Sequence, residues 1–253
     1  MKISVVTAVY NRAETIGAAM KSVQAQTYGL VEHVVQDGGS GDGTLDVIRA
    51  GANEHTVIVS ERDHGIYDAI NRGISRASGD AIGLMHSDDM FASDLVLEKV
   101  ADALSDPSVD GVYGDLQYVA ANNPSRVIRH WKSGEYAPAK LKQGWMPPHP
   151  TLYLRREVFD EHGLYDTGLQ IAADYDAMLR YLVKGEIKLA YIPEVLVRMR
   201  VGGESNRSLE RIIRKSREDL AAIRRNGLGG AGVLIQKNLR KVGQFFLRDE
   251  TSK

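Results

Sequence analysis

Four short runs rich in apolar and β-branched residues, Lys2–Tyr10, Val31–Gln36, Thr56–Ser60 and Ala81–Met85, punctuate the first 85 residues. Between them lie segments with helical spacing: Ala13–Gln26, with Ile16, Met20 and Val23 on one stripe, then Thr44–Ala50 and Ile66–Ala77. This alternation predicts βαβ units, hence an α/β fold built on a mostly parallel central sheet flanked by helices. Lys2–Tyr10 is almost wholly apolar, the pattern of a strand buried on both faces. In such sheets ligands sit beyond the carboxyl ends of the strands. Asp37 and the pair Asp88–Asp89 fall just after predicted strands, so they can share one crevice.

Downstream the pattern continues less regularly. A helix is expected over Leu95–Leu104, a strand over Gly111–Tyr118, and a polar, irregular stretch over Ala120–Gly144 that carries Arg126, Arg129, Trp131 and Lys132. Then follow a strand at Thr151–Leu154, helices at Arg156–His162 and Ala173–Val183, and strands at Ile187–Ile192 and Val195–Arg200. Gly202–Gly203 breaks the pattern. Ser205–Arg225 reads as a basic helix, and a glycine cluster separates it from an amphipathic helix over Val233–Leu247.

A chain of 253 residues, 43% hydrophobic and 26% charged, can bury a substantial core, which excludes wholesale disorder, collagen and coiled coil. The absence of cysteine excludes disulfides, thiolate nucleophiles, iron–sulfur clusters and cysteine zinc sites. The opening residues do not read as a signal peptide, and no apolar run reaches the ~18 residues of a membrane span. The expected location is therefore the cytoplasm. The formal net charge is −1, but residues 205–253 carry twelve Lys and Arg against five Asp and Glu, a net of +7, leaving residues 1–204 at −8. An expected division follows: a catalytic domain over 1–204 and a basic helical tail over 205–253.

Five segments carry chemistry-bearing residues. Gln36–Thr44 (QDGGSGDGT) is a glycine-rich loop after a strand, able to admit a phosphate or ring close to the backbone. It is equally a tight turn capping the next helix through Asp42 or Thr44. Ser87-Asp88-Asp89 places adjacent carboxylates at a strand end, where a cation such as Mg²⁺ or Mn²⁺ would neutralise them; a helix cap is the plainer alternative. Asp174 and Asp176 open a predicted helix, as a general base or as dipole-complementing acids. In Arg62–Gly73, Asn71 and Arg72 can reach a pyrophosphate or a base from a helix, or simply form its solvated face. In Gly144–Arg156 three prolines stiffen the chain around His149, and Trp145 can stack on a sugar or pack as a core side chain.

Taken in order, SVVTAVYNRAETI, QDGGSGDGT, SERDHGIYDAINRGISRASGD, LMHSDD, PPHPTLYLRREVF and AADYDAMLR together resemble glycosyltransferase family 2, over roughly residues 2–205. The likeness runs to bacterial enzymes that build exopolysaccharide, colanic-acid-type or O-antigen repeat units. It implies a GT-A fold, a nucleotide-sugar donor, a divalent Mn²⁺ or Mg²⁺ ion and inversion at the anomeric carbon. By motif, Asp37 takes the nucleobase position, Asp88 the position near the ribose, Asp89 the metal position and Asp174 that of the catalytic base, with Asp176 as fallback. Arg72 falls on the diphosphate or base side, and Thr7, Val9, Asn11, Asp63 and Asn71 complete the donor-side set. Trp145 and His149 fall on the acceptor side. The chain departs from the family pattern at Gln36, where an Asp is common, and at Ala173, where the family's Glu-Asp pair has Glu.

The resemblance also brings a saccharide acceptor, often polyprenyl-diphosphate-linked, at the inner membrane face. The basic amphipathic tail suits an anionic membrane surface, or else packs on the catalytic domain. No nucleic-acid motif appears. Two other readings remain: a nucleotidyltransferase that makes nucleotide sugars, although no N-terminal triphosphate loop is present, and a nucleotide- or sugar-binding module without turnover, which Ala173 favours.

Overall fold

The computed structural model describes residues 1–201 and 209–243. Strands β1 (Ile3–Val9), β2 (Val31–Asp37), β3 (Thr56–Ser60) and β4 (Ala81–Leu84) form one parallel half in the order β3-β2-β1-β4. The connecting helices are α1 (Ile16–Gln24), α2 (Thr44–Ala50) and α3 (Ile66–Arg76). Every residue of β1 is buried, and successive side chains point to opposite faces. Ile3 and Val5 join a cluster with Ala19, Val23 and Leu97, whereas Val6 and Ala8 join one with Ile70, Ile74 and Tyr175. Helices on both faces are why the strand is apolar throughout.

The other half of the sheet is mixed. Strands β5 (Met90–Phe91), β6 (Gly111–Ala120), β7 (Asn123–Trp131), β8 (Tyr153–Arg155) and β9 (Leu189–Arg200) extend the order as β4-β8-β6-β9-β5, with β7 on the other side of β6's end. Only β6 and β9 pair in parallel here; β8 is antiparallel to both β4 and β6. Helices α4 (Val96–Ala103), α5 (Pro138–Leu141), α6 (Arg156–His162) and α7 (Ala173–Leu179) fill the connections.

Three differences from the sequence reading have local causes. The stretch read as irregular contains β7, an edge strand that is mostly exposed, so no alternating pattern marks it. The two strands expected over 187–200 are one strand, β9, which absorbs Pro193 and Glu194 in an irregularity opposite Gly114–Leu116. Thr151 belongs to a 3₁₀ turn over His149–Thr151, and the helix expected over Ala173–Val183 changes to a π-turn at Arg180–Lys184.

Beyond residue 208, α8 (Leu209–Arg225) and α9 (Ala231–Gly243) pack on this body. Ala222, Ile223, Leu228 and Val233 are buried in the same core as α3 and α7. Lys237 of α9 forms a buried ion pair with Asp219 of α8 at 2.7 Å, and Arg240 donates to Gln143. Gly144, at φ +72°, explains how α9 lies so close: a Cβ there would stand 2.4 Å from the Lys237 backbone nitrogen. The boundary drawn at 204/205, the break at Gly202–Gly203 and the apolar end Phe245-Phe246-Leu247 lie outside the described residues. No helix among the described residues is long and apolar enough to cross a membrane.

Candidate active site

A cleft of about 1430 Å³ opens at the carboxyl ends of β1 and β4 and is closed on its far side by α7, α8 and α9. Of the residues singled out from sequence, Val9, Asn11, Asp63, Asp88, Asp89, His149 and Asp174 line it. Thr7, Asp37, Asn71, Arg72, Trp145 and Asp176 stand behind the wall or away from it.

The wall beside β1 and β2 is shaped by hydrogen bonds within the first two βα turns. Asp37 ends β2 with no exposed surface. Its carboxylate accepts from the Ser60 hydroxyl at 2.6 Å, from the Ser40 hydroxyl and from the Gly39 and Ser40 amides. The Asp37 side chain is thus turned into its own loop. Asn11, at φ +51°, accepts from the Gly41 amide at 3.0 Å and so ties the β1 turn to that loop. Gly38 leaves room for the Asp63 carboxylate, 2.3 Å from where a Cβ would stand; that carboxylate caps the turn into α3 by accepting from the Gly65 amide. Thr7 is buried against His33, their side chains 2.9 Å apart.

Asn71 and Arg72 are engaged by the protein. Asn71 donates to the Tyr165 carbonyl and accepts from its amide at 2.8 and 3.0 Å. Arg72 pairs with Glu61 and Asp68 at 3.0 and 2.9 Å. Both hold α3 in place.

Asp89 is 1% exposed. One carboxylate oxygen accepts from the Arg200 amide at 3.1 Å, and the other is buried with no protein partner. Burial first, and the neighbouring Asp88 charge second, push its pKa well above the usual carboxylate range. An orphaned buried carboxylate oxygen on a cleft wall is the chemistry of a hard-cation ligand. No group of three or more His, Asp or Glu side chains is gathered as a metal cage among the described residues. The residues present therefore fit a divalent ion that Asp89 would hold, with Asp88 adjacent and with water or a donor phosphate expected to complete its ligands.

Asp174 faces the same space from the first turn of α7. The Tyr67 hydroxyl reaches both its Oδ1 at 3.3 Å and the Ile171 carbonyl at 2.7 Å. Behind it lies a buried relay of rings. Tyr165 stacks on Tyr67, the His149 ring nitrogen is 3.0 Å from the Tyr165 hydroxyl, and the His86 and His149 rings are 5.9 Å apart. Burial pushes His149 down to about 4, so it is a neutral ring here.

Two expectations are corrected. Asp176, two residues on, lies on the opposite side of α7, because successive helical residues are 100° apart. It is 2% exposed, bonded to Asn226 at 3.3 Å and paired with Arg225 at 3.7 Å, so it bolts α7 to α8 and has no path to the cleft as an alternative base. Trp145 is also a core side chain: Tyr113 and Tyr136 flank it and its indole N–H donates to the Ser133 carbonyl at 2.8 Å. The tryptophan on the cleft wall is Trp131, beside Tyr118, over whose ring the Arg129 guanidinium sits at 3.8 Å. Sequence reasoning missed Tyr67, Tyr118 and Lys237 as wall residues. Tyr67 does recur one residue before Asp68 in a helical stripe with Ile70 and Ile74, but that pattern signals only core.

The fold and the cleft define an α/β architecture with paired carboxylates lining a cleft at the end of the fourth strand. Comparison with known proteins makes this specific. The description of glycosyl transferase family 2 matches residues 4–163, and the chain belongs to that family and is a glycosyltransferase. An uncharacterized glycosyltransferase of Mycobacterium tuberculosis is 32% identical over 180 residues, covering 70% of this chain and 68% of that protein. Among solved structures, a mannosyltransferase from Pyrobaculum calidifontis in complex with GDP-Man and Mn²⁺ superposes with a TM-score of 0.66 at 18% identity, covering 93% of this chain and 68% of that one. S. aureus TarS 1–349 in complex with UDP-GlcNAc gives 0.69 at 18% identity, covering 88% and 66%. These structural likenesses establish the GT-A fold.

Proposed function

We propose that this glycosyltransferase moves a sugar from a nucleoside-diphosphate sugar to a hydroxyl of a saccharide acceptor with inversion, in bacterial surface-polysaccharide synthesis. The observation that carries this is the pairing of two differently placed carboxylates on one cleft: Asp89, buried with one oxygen unpartnered, and Asp174, half-buried at the start of α7. Asp89 would hold Mn²⁺ or Mg²⁺, which when bound supplies charge neutralisation for a diphosphate leaving group. Asp88 and Asp63 frame the ribose side, and the loop shaped by Asp37 and Asn11 frames the base. Asp174 accepts the acceptor's hydroxyl proton as that oxygen bonds to C1 and the C1–O bond to the diphosphate breaks. One displacement at C1 gives inversion. The neutral His149–Tyr165 pair beneath Asp174 adds no competing charge to its pocket.

The acceptor is proposed to be lipid-linked, presented at an anionic membrane face. Ile212, Ile213, Ile235 and Leu239 of α8 and α9 are 46–64% exposed among basic residues, which supports peripheral attachment through these helices. Sedimentation with phosphatidylglycerol vesicles tests it: binding lost in an Ile235→Ser/Leu239→Ser variant is expected, and no binding by the intact protein would sink it.

The function is tested by thermal shift with UDP, GDP, dTDP and their sugars, each with and without Mn²⁺, followed by product analysis. A Mn²⁺-dependent rise with one nucleotide, then nucleoside diphosphate release, is expected. Diphosphate release from a nucleoside triphosphate plus sugar phosphate would favour nucleotidyl transfer. Tight donor binding with no turnover would favour a binding module.

A further inference from the structure

The segment that delivers Asp174 to the cleft has no capping side chain of its own: residues 172 and 173 are both alanine. Its free amides are satisfied from 46 to 48 residues away. The Glu218 carboxylate of α8 accepts from the Gln170 amide at 3.1 Å, the Ile171 amide at 2.8 Å and the Ala172 amide at 2.9 Å. Arg214, one turn earlier on the same face of α8, donates to the Gln170 side chain. From the other side the Tyr67 hydroxyl holds the Ile171 carbonyl and touches Asp174 itself. Three consecutive N–H groups and the Ile171 carbonyl are thus held by side chains from two different helices. α8 is in turn anchored by Ala222 and Ile223 in the core and by the Lys237–Asp219 pair.

We propose that Glu218 is the positioning residue for Asp174, so that a helix beyond the family-matched residues sets the geometry of the base. This rests on the reading of Asp174 as base. A single amide oxygen in place of the Glu218 carboxylate can satisfy only one or two of these N–H groups, and loss of the carboxylate lets residues 170–174 leave their path. A displacement of about 1 Å at a catalytic group lowers turnover by up to ~10²-fold.

The experiment compares wild type, Glu218→Ala, Glu218→Gln, Asp174→Asn and Glu218→Ala/Asp174→Asn. Nucleoside diphosphate release is measured from UDP-GlcNAc and GDP-mannose with Mn²⁺, water serving as acceptor, and backbone amide exchange is followed over residues 168–176. Glu218→Ala is expected to speed exchange at residues 170–172 by at least ~10-fold and to lower kcat by ~10–100-fold with the donor KM within about twofold. Glu218→Gln, which keeps one acceptor oxygen, is expected to fall between, and it serves if the alanine variant folds poorly. In the Asp174→Asn background Glu218→Ala is expected to cost nothing more, because both changes act on one group. Additive losses, unchanged exchange at residues 170–172, or a rise in KM matching the fall in kcat would each overturn the proposal while leaving Asp174 as base. Full turnover by Asp174→Asn alone would instead remove the base reading, and this role with it.

Discussion

Asp89→Asn separates the two demands placed on one buried carboxylate. In the protein without ligand, Asp89 is 1% exposed, has one amide partner and leaves one oxygen unsatisfied. Asparagine keeps the acceptor that meets the Arg200 amide and nearly the same volume, and it removes the charge. Because folding raises this acid's pKa, its contribution is greatest at low pH and is lost as pH rises through the raised value. The variant has no such loss. Above neutrality it should therefore be as stable as wild type or more stable, by up to ~1–2 kcal/mol given the cost of a buried unpaired charge moderated by proton uptake. For a chain of this size that is up to ~3–8 °C in Tm. With Mn²⁺ and the preferred nucleotide at a hundred times their Kd, wild type should gain ~2.7 kcal/mol, or ~5–10 °C. The variant should lose most of that gain. Differential scanning fluorimetry from pH 6 to 8, with and without ligands, reads both effects. A variant that keeps the full Mn²⁺-dependent shift refutes Asp89 as ligand. A fall of several degrees without ligand refutes the claim that its carboxylate is uncompensated.

Asp174→Asn should lower turnover by ~10²–10⁴-fold while nucleotide Kd, read by calorimetry, stays within twofold. Glu32 is buried, which works against its charge, but hydrogen bonds from Ser4, Ser78 and Lys2 prevail and hold it at about 2. A lowered acid pKa contributes stability above about 4.5 that is lost as pH falls toward 2, so Glu32→Gln should destabilise by ~1–3 kcal/mol at pH 7 and progressively less below pH 4 in urea melts. Gly144→Ala meets both the Lys237 backbone and a left-handed φ; a loss of ~2–4 kcal/mol is expected, with faster amide exchange across α9 than across β1. Uniform exchange changes over both elements would show that α9 is not separately docked there.

Much of the first half of the molecule is legible without coordinates. The apolar runs of β1, β2 and β4 announce a buried parallel sheet, and their carboxyl ends announce where Asp88 and Asp89 must sit. β7 is not legible, because an edge strand exposed on both faces has no alternation to read. Trp131 and Trp145 are equally plausible on paper; a ring's choice between the core and the cleft depends on Tyr113, Tyr136 and Ser133, which come from other elements. The net charge of +7 over 205–253 leaves open whether the basic helices meet a membrane or pack on the domain; in the structure α8 and α9 pack there and close one wall of the cleft.

From its order of residues alone, then, this protein is an α/β chain with acidic residues gathered at strand ends, since strand periodicity and loop chemistry are local properties; the glycosyltransferase assignment rests on the likeness of its ordered motifs to a family. Tertiary structure alone decided that Asp174 faces the cleft and Asp176 does not, and that Glu218 satisfies the amides ahead of Asp174. Which way a helix is rolled is set by its partners. Those partners lie tens of residues away in the chain, where no local pattern records them.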